Sequence, residues 1–145
     1  MANHCRLASA AAIAACNAIV DSIDAGAGAG SIIIYTGAEP AYANDAAGTE
    51  VATCTCADPA YAAAAADGAN YWADAELASS ASDSSATGNA SAVTYFRIAD
   101  SDSNVVLQGT IGTSAADLNL NSTTIGAGAS VTISSLEVRV PYNQA

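Results

Sequence analysis

The spacing of apolar residues changes once along this chain, across the AGAGAG stretch at residues 25–30, and that change limits the fold more than any other feature. Before it, Ile13, Cys16, Val20 and Ile23 recur at three- and four-residue intervals, the period of one helix face. The spacing predicts an amphipathic helix starting near Asn3, whose side chain can cap it. The helix should stop at Asp24-Ala25-Gly26, where glycine suits a left-handed C-terminal position. Beyond the glycines the period becomes two, and turn residues separate one short segment from the next.

Ser31–Thr36 is apolar on both faces, so it reads as a central strand or one pinned under the helix. Thr49–Cys56 alternates. So does Asn70–Leu77, with Tyr71, Ala73, Ala75 and Leu77 on one side and Trp72, Asp74 and Glu76 on the other. Ala92–Ala99 sets Phe96 and Ile98 against Val93, Tyr95 and Arg97. The turn Asp100-Ser101-Asp102-Ser103-Asn104 then returns the chain into Val105–Ile111 as a hairpin. Val131–Val140 changes phase midway, which a bulge at Ser134-Ser135 would reconcile, and Pro141 ends it. Leu118–Leu120 and Ser79–Thr87 are weaker strand candidates.

One helix followed by strand-turn-strand repeats predicts a mainly β chain, an antiparallel β-sandwich or jelly roll with one N-terminal α-helix. Its parts are an arm and helix over 1–25, a sandwich domain over 26–140 and a tail over 141–145. The glycine stretch is not a dinucleotide loop, because a helix precedes it and a strand follows, the reverse of the required order.

At 145 residues the chain fits one domain. Its 52% hydrophobic content is largely alanine, with one Phe, one Trp and one Met, so the expected burial per residue is modest and association is an expected source of stability. Fourteen acids stand against three arginines, giving a formal charge of −11. Nucleic-acid binding needs clustered cations to displace counterions, and this chain has none. The absence of lysine removes the P-loop lysine and Schiff-base chemistry. No apolar run approaches a membrane span. Ile13-Ala14-Ala15-Cys16 could pass as a lipoprotein cleavage box, but the helical spacing runs straight through it.

Cys54 and Cys56 sit one residue apart and therefore point to one strand face, in line with Ala52. They read as small buried hydrophobes. Their parallel side-chain directions disfavour a mutual disulfide, whereas a bridge to Cys16 or Cys5 under the helix stays open. Cys5, Cys16 and His4 lie at spacings that match no common zinc site.

Asp100-x-Asp102-x-Asn104 opens like a calcium loop, but Val105 and Ile111 occupy the positions that need Gly and Glu, so a plain hairpin turn is favoured. Asp74 and Glu76 could pose as a carboxylate pair and read better as a solvated strand face. The single histidine, His4, falls in the N-terminal arm, which offers no preorganised setting for a base. The residues name no enzyme, cofactor or metal. Arginines and aromatics anchor protein interfaces, so Arg6, Trp72, Tyr95, Arg97, Arg139 and Tyr142 are the candidate interface residues.

Three stretches carry a resemblance: AIVDSIDAGAGAGSIIIYTGAEPA at 18–41, VATCTCADPAYAAAA at 51–65, and YFRIADSDSNVVLQGTIGTSAADLNLNSTTIGAGASVTISSLEVRVP at 95–141. Together they resemble the capsid cementing (decoration) proteins of tailed bacteriophages, of the Bordetella-phage type. The likeness runs in order along nearly the whole chain. It implies a jelly-roll-like sandwich on the outer capsid surface of the virion, a homodimer bridging neighbouring major capsid proteins of the HK97-type fold. That family tends to carry leucine-like residues where Cys54 and Cys56 stand. It has no catalytic motif, so no active-site residue is implied. The rival from the residues alone is a secreted or lipid-anchored bacterial β-sandwich that binds carbohydrate or a partner protein, with a calcium-stabilised surface module third.

Overall fold

The computed structural model describes residues 5–142. Helix α1 spans Ser9–Ile23 and buries Ala12, Cys16, Val20 and Ile23; the last three belong to the stripe that the spacing marked, whose first member, Ile13, is half-buried, with the unforeseen Ala12 in the buried place beside it. It begins later than expected: Ala8 holds the N-cap position in extended conformation without a side-chain cap, and Asn3 lies outside the described residues. Its end falls where the glycine signal placed it, with Asp24 as C-cap and Gly26 at φ +98°. Three contacts tie the helix down. The Cys16 thiol donates to the Val138 carbonyl at 3.3 Å, the Asn17 side chain accepts from Ala64 N–H at 2.8 Å, and the Asp24 carboxylate accepts from Ala60 N–H at 2.7 Å.

Ten strands follow: β1 Ser31–Thr36, β2 Thr49–Thr55, β3 Ala65–Asp67, β4 Trp72–Ala75, β5 Ala81–Asp83, β6 Val93–Ala99, β7 Val105–Gly112, β8 Leu118–Asn119, β9 Val131–Ile133 and β10 Val138–Pro141. They form a seven-stranded sheet in the order β8-β7-β6-β1-β2-β5-β9 and a three-stranded sheet in the order β10-β4-β3. Every pairing is antiparallel except β7 with β8. The result is a mainly β, sandwich-like fold with one N-terminal helix. That helix packs on β4, β10 and β3 and touches β7.

β1 is the middle strand of the large sheet, as its two apolar faces required. Ile32 and Ile34 are fully buried on the inner face beside their antiparallel partners Ile98 and Phe96. Helix, inner sheet face and small sheet share one hydrophobic cluster, in which fully buried alanines, Ala73 and Ala81 among them, fill positions that large residues usually take. Tyr61 joins that cluster, and its hydroxyl has no hydrogen-bond partner among the described residues.

One expectation is corrected. Val131–Val140 is not a single bulged strand: β9 ends at Ile133, residues 134–137 cross over with Leu136 buried, and β10 begins at Val138 in the other sheet. A bulge and a change of sheet shift the alternation in the same way. Tyr71 also departs from its expected face. The strand starts at Trp72, and Tyr71 sits before it at φ +60° with its ring exposed.

Val20→Asp is expected to lower stability in urea unfolding by roughly 3–5 kcal/mol, because it puts an unpaired charge into the helix contact; an unchanged midpoint would show this face to be open. Tyr61→Phe should leave stability equal or raise it by up to about 1 kcal/mol, since it removes a buried hydroxyl that bonds nothing.

Candidate functional site

The thiols come first, as the most reactive groups a chain without lysine can offer. Cys54 and Cys56 face the core together from β2 and the residue just after it, and with Cys16 they are buried and unbridged, while Cys5 is exposed. Burial, with Asp83 next in effect, pushes the Cys54 thiol up to about 12. Burial followed by Asp24 pushes Cys56 up to about 11. Both are neutral at physiological pH, and a neutral thiol is neither nucleophile nor metal ligand. Among the described residues no group of three or more His, Cys, Asp or Glu is placed to hold a metal ion.

Four carboxylates are spent on the chain's own turns. Asp83 accepts from the N–H groups of Thr53 at 2.9 Å and Ser85 at 2.8 Å, and Asp117 accepts from the Thr110 N–H and hydroxyl at 2.8 and 2.7 Å. Asp67 closes the β3–β4 turn by accepting from Ala69 and Asn70. In the DSDSN loop the Asp100 carboxylate takes hydrogen bonds from the Asn104 side-chain amide, Asn104 N–H and Asp102 N–H, all between 2.8 and 2.9 Å. The oxygens that a calcium ion would need therefore organise the hairpin. Asp74 pairs in register with Arg139 across β4 and β10, and Glu76 is exposed beyond the strand end.

The six candidate interface residues separate into three places. Tyr95 and Arg97 do not lie on an exposed face: they are 0% and 4% exposed. The ring of Tyr95 stacks on Tyr35 with centroids 5.1 Å apart, and the Arg97 guanidinium carbon lies 6.0 Å from both centroids. Arg97 donates to the Gln108 side-chain oxygen at 3.3 Å and to the Asp45 main-chain carbonyl at 2.8 Å. Burial, with Glu50 nearby, pushes the Tyr35 phenol up against the opposing pull of Arg97. The cover on this face is the 37–48 loop, which period-two reading of β6 cannot foresee.

Trp72 and Arg139 come together on the wall of an open cleft of about 740 Å³ between the two sheets. Phe96, Leu107 and Leu136 give it apolar lining. Arg139 is half-exposed and ion-paired with Glu137. Tyr142 lies next to this wall rather than in a loose tail. Its N–H bonds the Tyr71 carbonyl, its hydroxyl bonds the Asp67 carbonyl at 3.1 Å, and its ring meets Tyr71 edge-on at 6.0 Å. Arg6 is exposed in the segment before α1.

Two exposed aromatics were missed by the sequence reading: Tyr42, 73% exposed, and Tyr71, 47% exposed. Tyr42 stands among Pro, Gly, Asn and Asp without periodicity, and an aromatic in such a segment has no partner strand to bury it. No helix among the described residues is long and apolar enough to cross a membrane. No protein-family model, curated protein or solved structure matches this chain.

The Asn104 amide, helped by two backbone N–H groups, holds the Asp100 carboxyl below the usual carboxylate range against the push of burial. Its folded pKa lies below the unfolded value of about 3.9, so its contribution is whole above that pH and lost as pH falls through the folded pKa. Asp100→Asn is expected to lower Tm at neutral pH, with the gap to wild type closing as pH falls below about 4. A gap that stays constant in acid would contradict this.

Proposed function

We propose that this chain is a structural, non-enzymatic virion protein that cements the outer surface of an icosahedral phage capsid, bridging neighbouring major capsid proteins of the HK97-type fold as a homodimer. The observation that carries the reading is where the resembling stretches fall. They cover the last turns of α1 from Ala18 on, all of β1, most of β2 and the run from Tyr95 in β6 to β10, so the likeness lies largely on strands that build the common core. The surface chemistry supports it. Of the three arginines, Arg97 is buried and Arg139 is paired with Glu137, leaving Arg6 as the one exposed arginine without an ion pair among the described residues. A surface so anionic repels polyanions and suits docking onto a basic protein lattice, where many weak contacts add by multivalency.

The second reading, a sandwich binding carbohydrate or a partner protein, is favoured by the Trp72 cleft, since an indole beside carboxylates and amides suits a sugar face. Its lipid-anchored form fits poorly. Cleavage before Cys16 would remove the first half of α1 together with the fully buried Ala12.

Purified protein is expected to cosediment saturably with capsids stripped of it, at a fixed ratio to the shell protein, and to raise the temperature at which the shells rupture. No binding to such shells would refute the cementing role. Glycan binding abolished by Trp72→Ala would establish the rival in its place.

A further inference from the structure

The connection between β1 and β2, residues 37–48, contains no strand or helix, yet it is held as firmly as one. It lies over the outer face of the large sheet and is tied from two strands, β6 and β7, at four points. The Thr94 hydroxyl donates to the Gly37 carbonyl, Gln108 Nε2 to the Pro40 carbonyl at 2.6 Å, and Arg97 Nη2 to the Asp45 carbonyl at 2.8 Å; Gly48 N–H donates to the Tyr95 hydroxyl at 2.6 Å. Between the Pro40 and Asp45 ties the loop turns, with Asp45 N–H bonding the Tyr42 carbonyl at 3.0 Å. At that turn stands Tyr42, more exposed than Leu7 or Tyr71, the other large exposed hydrophobics among the described residues.

Holding this loop is costly for the protein. Arg97 is nine-tenths buried and more, in a chain with fourteen acids, yet its resolved hydrogen bonds go to an amide oxygen and a main-chain carbonyl rather than to a carboxylate. A buried guanidinium is expensive to desolvate, and here it fixes the backbone at Asp45 directly and at Pro40 through Gln108, on either side of an aromatic that packs on little of its own chain. A rigid loop presenting a tyrosine with its ordering cost already met is the arrangement of an interface anchor. Charge indicates the partner. Residues 37–48 carry Glu39 and Asp45 and no cation, and the exposed Glu50 follows at the start of β2.

We propose that Tyr42 is the anchor by which this protein docks on the shell, its ring entering an apolar pocket that Lys or Arg side chains of the major capsid protein surround. The inference rests on the cementing reading and names the contact surface within it. The acids beside Tyr42 steer the encounter and set its salt dependence, and the ring supplies the anchoring contact.

The test measures binding of the full-length protein to stripped capsids at low and at physiological ionic strength, with Tm recorded for each variant. Tyr42→Ala is expected to bind about tenfold or more weakly at unchanged Tm, as truncation of an anchoring aromatic does. The double variant Glu39→Gln, Asp45→Asn should keep its fold, bind more weakly at low salt and show a shallower salt dependence than wild type. If wild type binds and Tyr42→Ala binds within about twofold of it, the anchor is elsewhere and the inference falls while the cementing role stands. If wild type does not bind shells at all, the cementing role falls and this inference falls with it.

Discussion

Close approach of backbones across small side chains is the constraint on which the rest of this structure depends. With one Phe, one Trp and one Met in the whole chain, the interior combines isoleucine and valine with many alanines and cysteines, and at those small residues main chains come close together. The contacting stripe of α1 begins with Ala12 and Cys16, β4 offers Ala73 and Ala75, and β2 offers Ala52 and Cys54, all buried. The helix sits so near β10 that a thiol reaches a main-chain carbonyl. At Gly30 a Cβ would come within 2.7 Å of the Ile23 side chain and 2.9 Å of the Ala99 carbonyl, so no larger residue fits where the helix passes into β1. Cores built this way lose stability when a side chain grows, by roughly 1–3 kcal/mol for an added methylene or two.

The opposite face of the large sheet is built on another principle. Tyr35, Tyr95, Arg97 and Gln108 form a polar aromatic layer whose hydrogen bonds are completed by the 37–48 loop. Loop and layer need each other: without the loop a guanidinium would lose its carbonyl acceptor, and without the layer the loop would keep only its Thr94 tie to the sheet. Placing one of three arginines there also strips the surface of a cation, so the protein presents itself to partners as an anion. That links a packing choice in β6 to the kind of surface the molecule can dock on.

Much of this was legible in local patterns. The helix stripe from Ile13 to Ile23, the central position of β1, the hairpin through Asp100 to Asn104 and the inward direction of Cys54 and Cys56 all follow from periodicity and turn chemistry. Other features depend on contacts distant in sequence. Tyr95 and Arg97 alternate with apolar residues and so read as a solvent face, whereas their cover comes from a segment some fifty residues earlier. β3 consists of two alanines and an aspartate within an alanine run, which carries no contrast from which to read a phase. The shift after Ile133 has two structural solutions, and choosing between them requires knowing that the small sheet needs β10 beside β4.

Of the candidate interface residues, Trp72 and Arg139 share one cleft, Tyr142 flanks it, and the exposed Tyr42 was not foreseen at all. The packing account meets its most direct test in counting thiols that react with iodoacetamide before and after unfolding, read by intact mass. If Cys16, Cys54 and Cys56 lie in one closed core beneath α1, the native protein takes a single adduct, at Cys5, and the unfolded chain takes four. Three or four adducts formed at equal rates on the native protein would mean that helix and sheets do not close over one another, and the account of the fold would be wrong at its centre.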